Sequence, residues 1–180
     1  MACANGHVET CLKMVERIGN KNPAGFCSCT ALHAAALEGH SYVCQIILRY
    51  ITNPNPKDVD GTTPLHVAAY RGHLSVYIAI MRHVEDKNPR DNIGRTPLHV
   101  AAIGGHLPVY RAIVRHVQDK NPSDDNGRTP LHFAARNCRK ELCNLIMNNV
   151  VEKNPLDNFG RTPRQLMLRS HQRMQRIFDD

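Results

Sequence analysis

Apolar residues recur along this chain in two alternating patterns. Between Thr96 and Lys120, Leu98, Ala101 and Ala102 form a narrow face of small side chains. Leu107, Val109, Tyr110, Ile113, Val114 and Val117 then form a broader face at helical spacing. Gly104-Gly105-His106 lies between them, and such a cluster breaks a helix. The pattern predicts two short helices joined by a tight turn. Thr96 suits a helix N-cap, and Pro97 suits the first helical position, where its missing N–H costs nothing. Pro108 is tolerable in the first turn of the second helix. Asp91-Asn92-Ile93-Gly94-Arg95 ahead of the pair is turn chemistry, because Asp and Asn bond nearby backbone and Gly permits positive φ. Asp119-Lys120-Asn121-Pro122 closes the unit.

This unit repeats every 33 residues. Thr30-Ala31-Leu32-His33 returns as Thr63-Pro64-Leu65-His66, Thr96-Pro97-Leu98-His99 and Thr129-Pro130-Leu131-His132, with a degraded copy at Thr162-Pro163-Arg164-Gln165. Asn-Pro at 22, 55, 88, 121 and 154 and Gly-His at 6, 39, 72 and 105 keep the same step. Thr63–Arg95 and Thr96–Arg128 are identical at 24 of 33 positions. One helix pair cannot bury both of its faces, so it must stack on its neighbours. The expected architecture is an all-α solenoid of antiparallel helix pairs with turns projecting to one side. The units run 1–24 (partial), 25–57, 58–90, 91–123, 124–156 and 157–180 (degenerate, capping). Thr63, Pro64, His66 and Gly72, with Thr96, Pro97, His99 and Gly105 and then Thr129, Pro130 and His132, are expected to maintain the fold.

The period and the pattern D-x-x-G-x-T-P-L-H-x-A-A-x-x-G-H resemble the ankyrin repeat over nearly the whole chain. The resemblance implies a curved stack whose turns pair as β-hairpin fingers. It also implies partner binding on the hollow side, formed by fingers and first helices. The chain departs from the family pattern in three places. Ile51, Val84, Val117 and Val150 stand where the family carries Gly near the end of the second helix, so either that helix runs on or the turn closes through Asn-Pro. Gly25-Phe26-Cys27-Ser28-Cys29 lacks the Asp and Gly of the finger. Asn137-Cys138-Arg139 replaces Gly-His between the helices.

The ends differ from the middle. Ala2–His7 aligns with Ala68–His73, so the chain opens inside a unit and exposes an unfinished stacking face. This predicts a fraying first segment or a fragment of a longer array. At the other end Arg169, His171, Gln172 and Arg173 make the last helix polar on one side, as a cap requires.

Composition adds little to the fold. A formal charge of +7 favours acidic partners through long-range attraction. The seven cysteines are odd in number, contain no Cys-x-x-Cys and come with no signal peptide, which points to a reducing intracellular compartment, cytoplasmic or nuclear. No apolar run is long enough to enter a membrane.

Chemistry is excluded mostly by the period. Eight of the eleven histidines are repeat positions. Equivalent side chains in stacked units lie roughly 8–10 Å apart, whereas zinc ligands converge to about 2.0–2.3 Å of one ion. His99 sits three residues after Thr96, where its ring can complete a capping box. Asp58, Asp91, Asp124 and Asp157 begin turns and are no catalytic pair. No nucleophile elbow, phosphate loop or metalloprotease motif occurs. No catalysis, metal or cofactor is expected.

Positions that differ between units are free to encode a partner. On the fingers these include Lys57, Val59 and Asp60, then Arg90, Asn92 and Ile93, then Ser123, Asp125 and Asn126. On the exposed side of the first helices they include Tyr70, Arg71, Ile103 and Arg136. Arg95, Arg128 and Arg161 make a basic row. Tyr and Arg are frequent interface anchors, and Tyr70, Arg71, Arg90 and Ile93 form the expected centre. The reading is a non-catalytic scaffold or adaptor for a protein, with the charge favouring an acidic one, acting as a monomer or within a longer chain. A targeting module of a larger enzyme or channel is the alternative. Nucleic-acid binding ranks below both, because few aromatics are available for base stacking.

Overall fold

The computed structural model describes residues 28–168. Eight helices fall in four pairs. They are α1 (Ala31–Glu38) with α2 (Ser41–Leu48), α3 (Pro64–Arg71) with α4 (Leu74–Met81), α5 (Pro97–Gly104) with α6 (Leu107–Val114), and α7 (Pro130–Arg136) with α8 (Lys140–Met147). Residues 163–168 are helical as well. The partial first unit, the first finger through Cys27 and the polar cap beyond Leu168 lie outside the described residues. No helix among the described residues is long and apolar enough to cross a membrane.

The stack forms because each helix type packs on its own kind. α1, α3, α5 and α7 make one layer, and α2, α4 and α6 pack behind it. Ala35, Ala36, Ala68, Ala69, Ala101 and Ala102 are fully buried, so the first helices approach more closely than the second. Closer packing on the first-helix side is what a hollow on that side, as the ankyrin resemblance implies, requires. Tyr77 and Tyr110 fill the space between second helices with no exposed surface.

The helix starts explain why Thr-Pro-Leu-His recurs. Thr30, Thr63, Thr96 and Thr129 are N-caps with extended backbone, and each completes a capping box with the histidine three residues on. The backbone N–H of Thr96 donates to His99 Nδ1 at 3.0 Å, and His99 Nε2 lies 2.9 Å from the Arg128 carbonyl of the next unit. An N–H can only donate and a carbonyl can only accept. Nδ1 is therefore bare and Nε2 carries the proton. His33, His66 and His132 repeat this on the carbonyls of Thr62, Arg95 and Arg161. Each imidazole thus caps its own helix and ties it to the following finger.

The turns settle two points that the sequence left open. The second helices stop at Leu48, Met81, Val114 and Met147. Ile51, Val84, Val117 and Val150 follow as partly buried residues on the core, so the turn closes through Asn-Pro. There the Asn88 N–H donates to Asp86 Oδ1 and the Asn121 N–H to Asp119 Oδ1, both at 2.9 Å. Between the helices of a pair, Gly72 takes φ +79 and lies under the His106 ring, 2.4 Å from where a Cβ would sit. Cys138 holds the matching position in the fourth pair at φ +56. The turn survives the loss of Gly, but a side chain occupies left-handed backbone, and α7 is one residue shorter than α1, α3 and α5.

Two outcomes are expected. Burial lowers the pKa of His33, His66 and His132, and pushes His99 down to about 4. The folded state holds these rings neutral while the unfolded chain binds protons near pH 6.5. Their stabilisation is therefore complete above pH 6.5 and fades as pH falls below it, by roughly 1.4 kcal/mol per pH unit for His99 between pH 6.5 and its folded value, and in the same direction for the other three. The urea midpoint should drop between pH 7.5 and pH 5, and an unchanged midpoint would contradict neutral rings. Secondly, Cys138→Gly should raise stability by about 0.5–1 kcal/mol, since relief of left-handed strain outweighs the added chain entropy. Urea denaturation at pH 7.5 measures it.

Candidate partner-binding face

Each of the four fingers from Asp58 onward is built on one aspartate. Asp91 Oδ1 accepts the backbone N–H groups of Ile93 and Arg95 at 3.1 and 2.8 Å. The Asp91 N–H donates to the Arg95 carbonyl, closing the turn at 2.9 Å. Asp58, Asp124 and Asp157 do the same for their own turns. Successive fingers are joined by single backbone bonds: Asn92 N–H to Asp60 O, Asp125 N–H to Ile93 O, and Asn158 N–H to Asn126 O, at 3.0, 3.2 and 2.9 Å. The expected hairpin ladder is thus one link per step, with no strand assigned among the described residues.

Several finger residues singled out in the sequence are engaged inside the fold. Asn92 Nδ2 donates to the Val59 carbonyl at 2.9 Å, as Asn158 does to the Asp125 carbonyl at 3.0 Å. Arg90 spans two fingers, donating from Nη1 to the carbonyls of Gly94 and Ser123 at 3.0 and 2.7 Å. Arg71 donates from Nε to the Leu37 carbonyl of the preceding pair at 3.3 Å. Lys57, Val59, Asp60, Ser123 and Asp125 are exposed, and Asn126 is half-buried. Ile93 stands at a fingertip, 47% exposed.

The basic row is not uniform. Arg95 Nε pairs with Asp91 Oδ2 at 2.8 Å, and Arg161 pairs with Asp157 in the same way. Desolvation pushes the Asp157 carboxyl upward, but the bonds from Arg161 and the finger N–H groups hold it well below the usual carboxylate range. Arg161 also lies over the Phe159 ring, 4.6 Å from its centroid. Arg128 makes no such pair, and its Nε is buried without a partner among the described residues.

Where fingers meet first helices, a groove of about 390 Å³ opens. Leu37, Tyr70 and Ile103 line it from one helical position in three consecutive units, Val67 and Val100 form its floor, and Thr62, His66, Asp91 and Arg95 form its finger side. Tyr70 is 51% exposed. The groove brings together Tyr70, Ile103 and Arg95 from the expected set. Arg71, Arg90 and Ile93 lie outside its lining, and Arg136 is exposed at the next step of the same column. Val67 and Val100 match each other in adjacent units, so differences between those units do not point to them. No group of three or more His, Cys, Asp or Glu among the described residues is arranged to hold a metal ion.

A family model described as ankyrin repeats (3 copies) matches residues 1–91 and 79–159. No curated protein matches the chain.

Asn92→Ala removes the side-chain link between two fingers while leaving the groove lining intact. It should lower stability by about 1 kcal/mol, read as a reduced urea midpoint. An unchanged midpoint would return Asn92 to the set free for partner contact.

Proposed function

We propose, from the premise that this chain belongs to the ankyrin-repeat family, that it is a non-catalytic scaffold or adaptor whose concave face binds a protein. Repeats of this family generally mediate protein–protein interaction. The observation that carries the reading is the groove centred on Tyr70. Leu37, Tyr70 and Ile103 expose apolar surface in one column, at a position where the units differ.

Three physical features favour binding there. Tyr70 offers a large apolar area with few rotatable bonds, which limits the entropy lost on contact. The fingers are already fixed by the Asp turns and the Asn92 and Arg90 links, so little backbone ordering is required. The neutral His66 ring lies against the groove with both nitrogens engaged, and so adds no unpaired polar group to be desolvated. Ile93, Lys57 and the exposed Asp60 and Asp125 are placed to contact the edges of a partner.

The test joins affinity capture with cross-linking and mapping. Cross-links to an identified partner should fall on the fingers and first helices. Tyr70→Ala with Ile103→Ala should weaken that partner at least tenfold, since truncating a central anchor costs about 1–3 kcal/mol. Thermal melting checks that the double variant remains folded. Cross-links confined to α2, α4, α6 and α8 would overturn the reading.

A further inference from the structure

The repeat positions that line the groove recur one unit further with different chemistry. A shift of 33 residues turns Tyr70 into Ile103, Val67 into Val100, and Val100 into Phe133. It also turns Ile103 into Arg136, and Arg95 into Arg128. The first subsite is therefore apolar, and its one arginine is neutralised by Asp91 at 2.8 Å. The second keeps an apolar floor, because Val100 and Phe133 are both there, but two arginines replace the isoleucine and the neutralised arginine.

Neither of these two arginines is held in an ion pair among the described residues. The Arg128 guanidinium forms no pair with Asp124, whose Oδ1 is occupied by the backbone N–H groups of Asn126 and Arg128. Its Nε is buried with no partner among the described residues, unlike the Nε atoms of Arg95 and Arg161. Arg136 is exposed in the last turn of α7. At the opposite end of the column, beside Leu37, stands the exposed carboxylate of Glu38. Along the column itself Leu37, Tyr70 and Ile103 are apolar, and Arg136 makes its far end basic.

Resting on the concave-face reading above, we propose that this groove takes an extended segment of a partner protein with an apolar side chain and, three residues away, a carboxylate. The spacing follows from the stack. Neighbouring units are about 8–10 Å apart, and three residues of polyproline-II backbone span about 9 Å and return the side chain to the same face. A partner helix would need about six residues per step, which is out of phase with its own turn. The apolar side chain enters between Tyr70 and Ile103. The carboxylate meets the guanidinium ends of Arg128 and Arg136.

A random twelve-residue peptide library displayed on phage and panned against the full chain tests this. Selected peptides should share an apolar residue and an Asp or Glu three positions apart. A synthetic selected peptide should bind about tenfold more weakly when its carboxylate is replaced by an amide, or when the chain carries Arg128→Gln and Arg136→Gln. Arg136→Glu alone, at an exposed site, should weaken it further, and melting points confirm that the variants fold. Peptides that lose binding with Tyr70→Ala but show no acidic preference, or are indifferent to both arginines, would overturn this inference and leave the concave-face reading standing. Absence of any selected peptide, or binders indifferent to Tyr70 and to both arginines, would overturn both.

Discussion

The structure depends on one neutral imidazole per unit, used at both of its nitrogens. At Nδ1 it accepts the N–H of the capping threonine, a donor the helix start would otherwise leave unpaired. At Nε2 it donates to a finger carbonyl 29 residues ahead. Local helix initiation and long-range stacking are therefore made by the same ring. Few side chains can do this. Lysine and arginine have no acceptor, and carboxylates have no donor at neutral pH. Glutamine can satisfy the cap, and Gln165 does so for Thr162 at 2.9 Å in the degraded copy.

Most of the architecture was legible because it is periodic. Thr-Pro at a helix start, Ala-Ala beneath a close helix contact and Asp at a turn each state a local physical requirement, and 33-residue recurrence turns those into a stack. The closure after the second helix was not legible. It hinges on whether Val84 and Val117 continue a helix or fold back on the core, and apolar residues suit both. The carboxylates of Asp86 and Asp119, each bonding an N–H two residues on, decide it. The turn at Cys138 was equally undetermined, since no sequence rule tells how much left-handed strain a neighbouring stack will bear.

The candidate face was less legible than the fold, for a related reason. Differences between units mark Tyr70 and Ile103, which line the groove. They also mark Asn92 and Arg90, which bond neighbouring fingers. They do not mark Val67 and Val100, which match each other in adjacent units yet line the groove. Identity in sequence misleads in the other direction too. Arg95 and Arg128 occupy one repeat position, yet one is held in an ion pair and the other is not. Variation marks freedom from one constraint, and only three-dimensional neighbours show which one.

The directional bond from each histidine to the next finger has a consequence for how such a chain changes length. Every complete unit brings one ring donor and one finger carbonyl to receive its predecessor's. Inserting or deleting a whole unit leaves the number of donors and acceptors matched at every internal junction. A change by any other number of residues keeps that match only where an exposed turn absorbs it, because within a helix it separates a ring from its carbonyl. Gene duplication in steps of 33 residues thus lengthens the stack with every internal histidine bond kept.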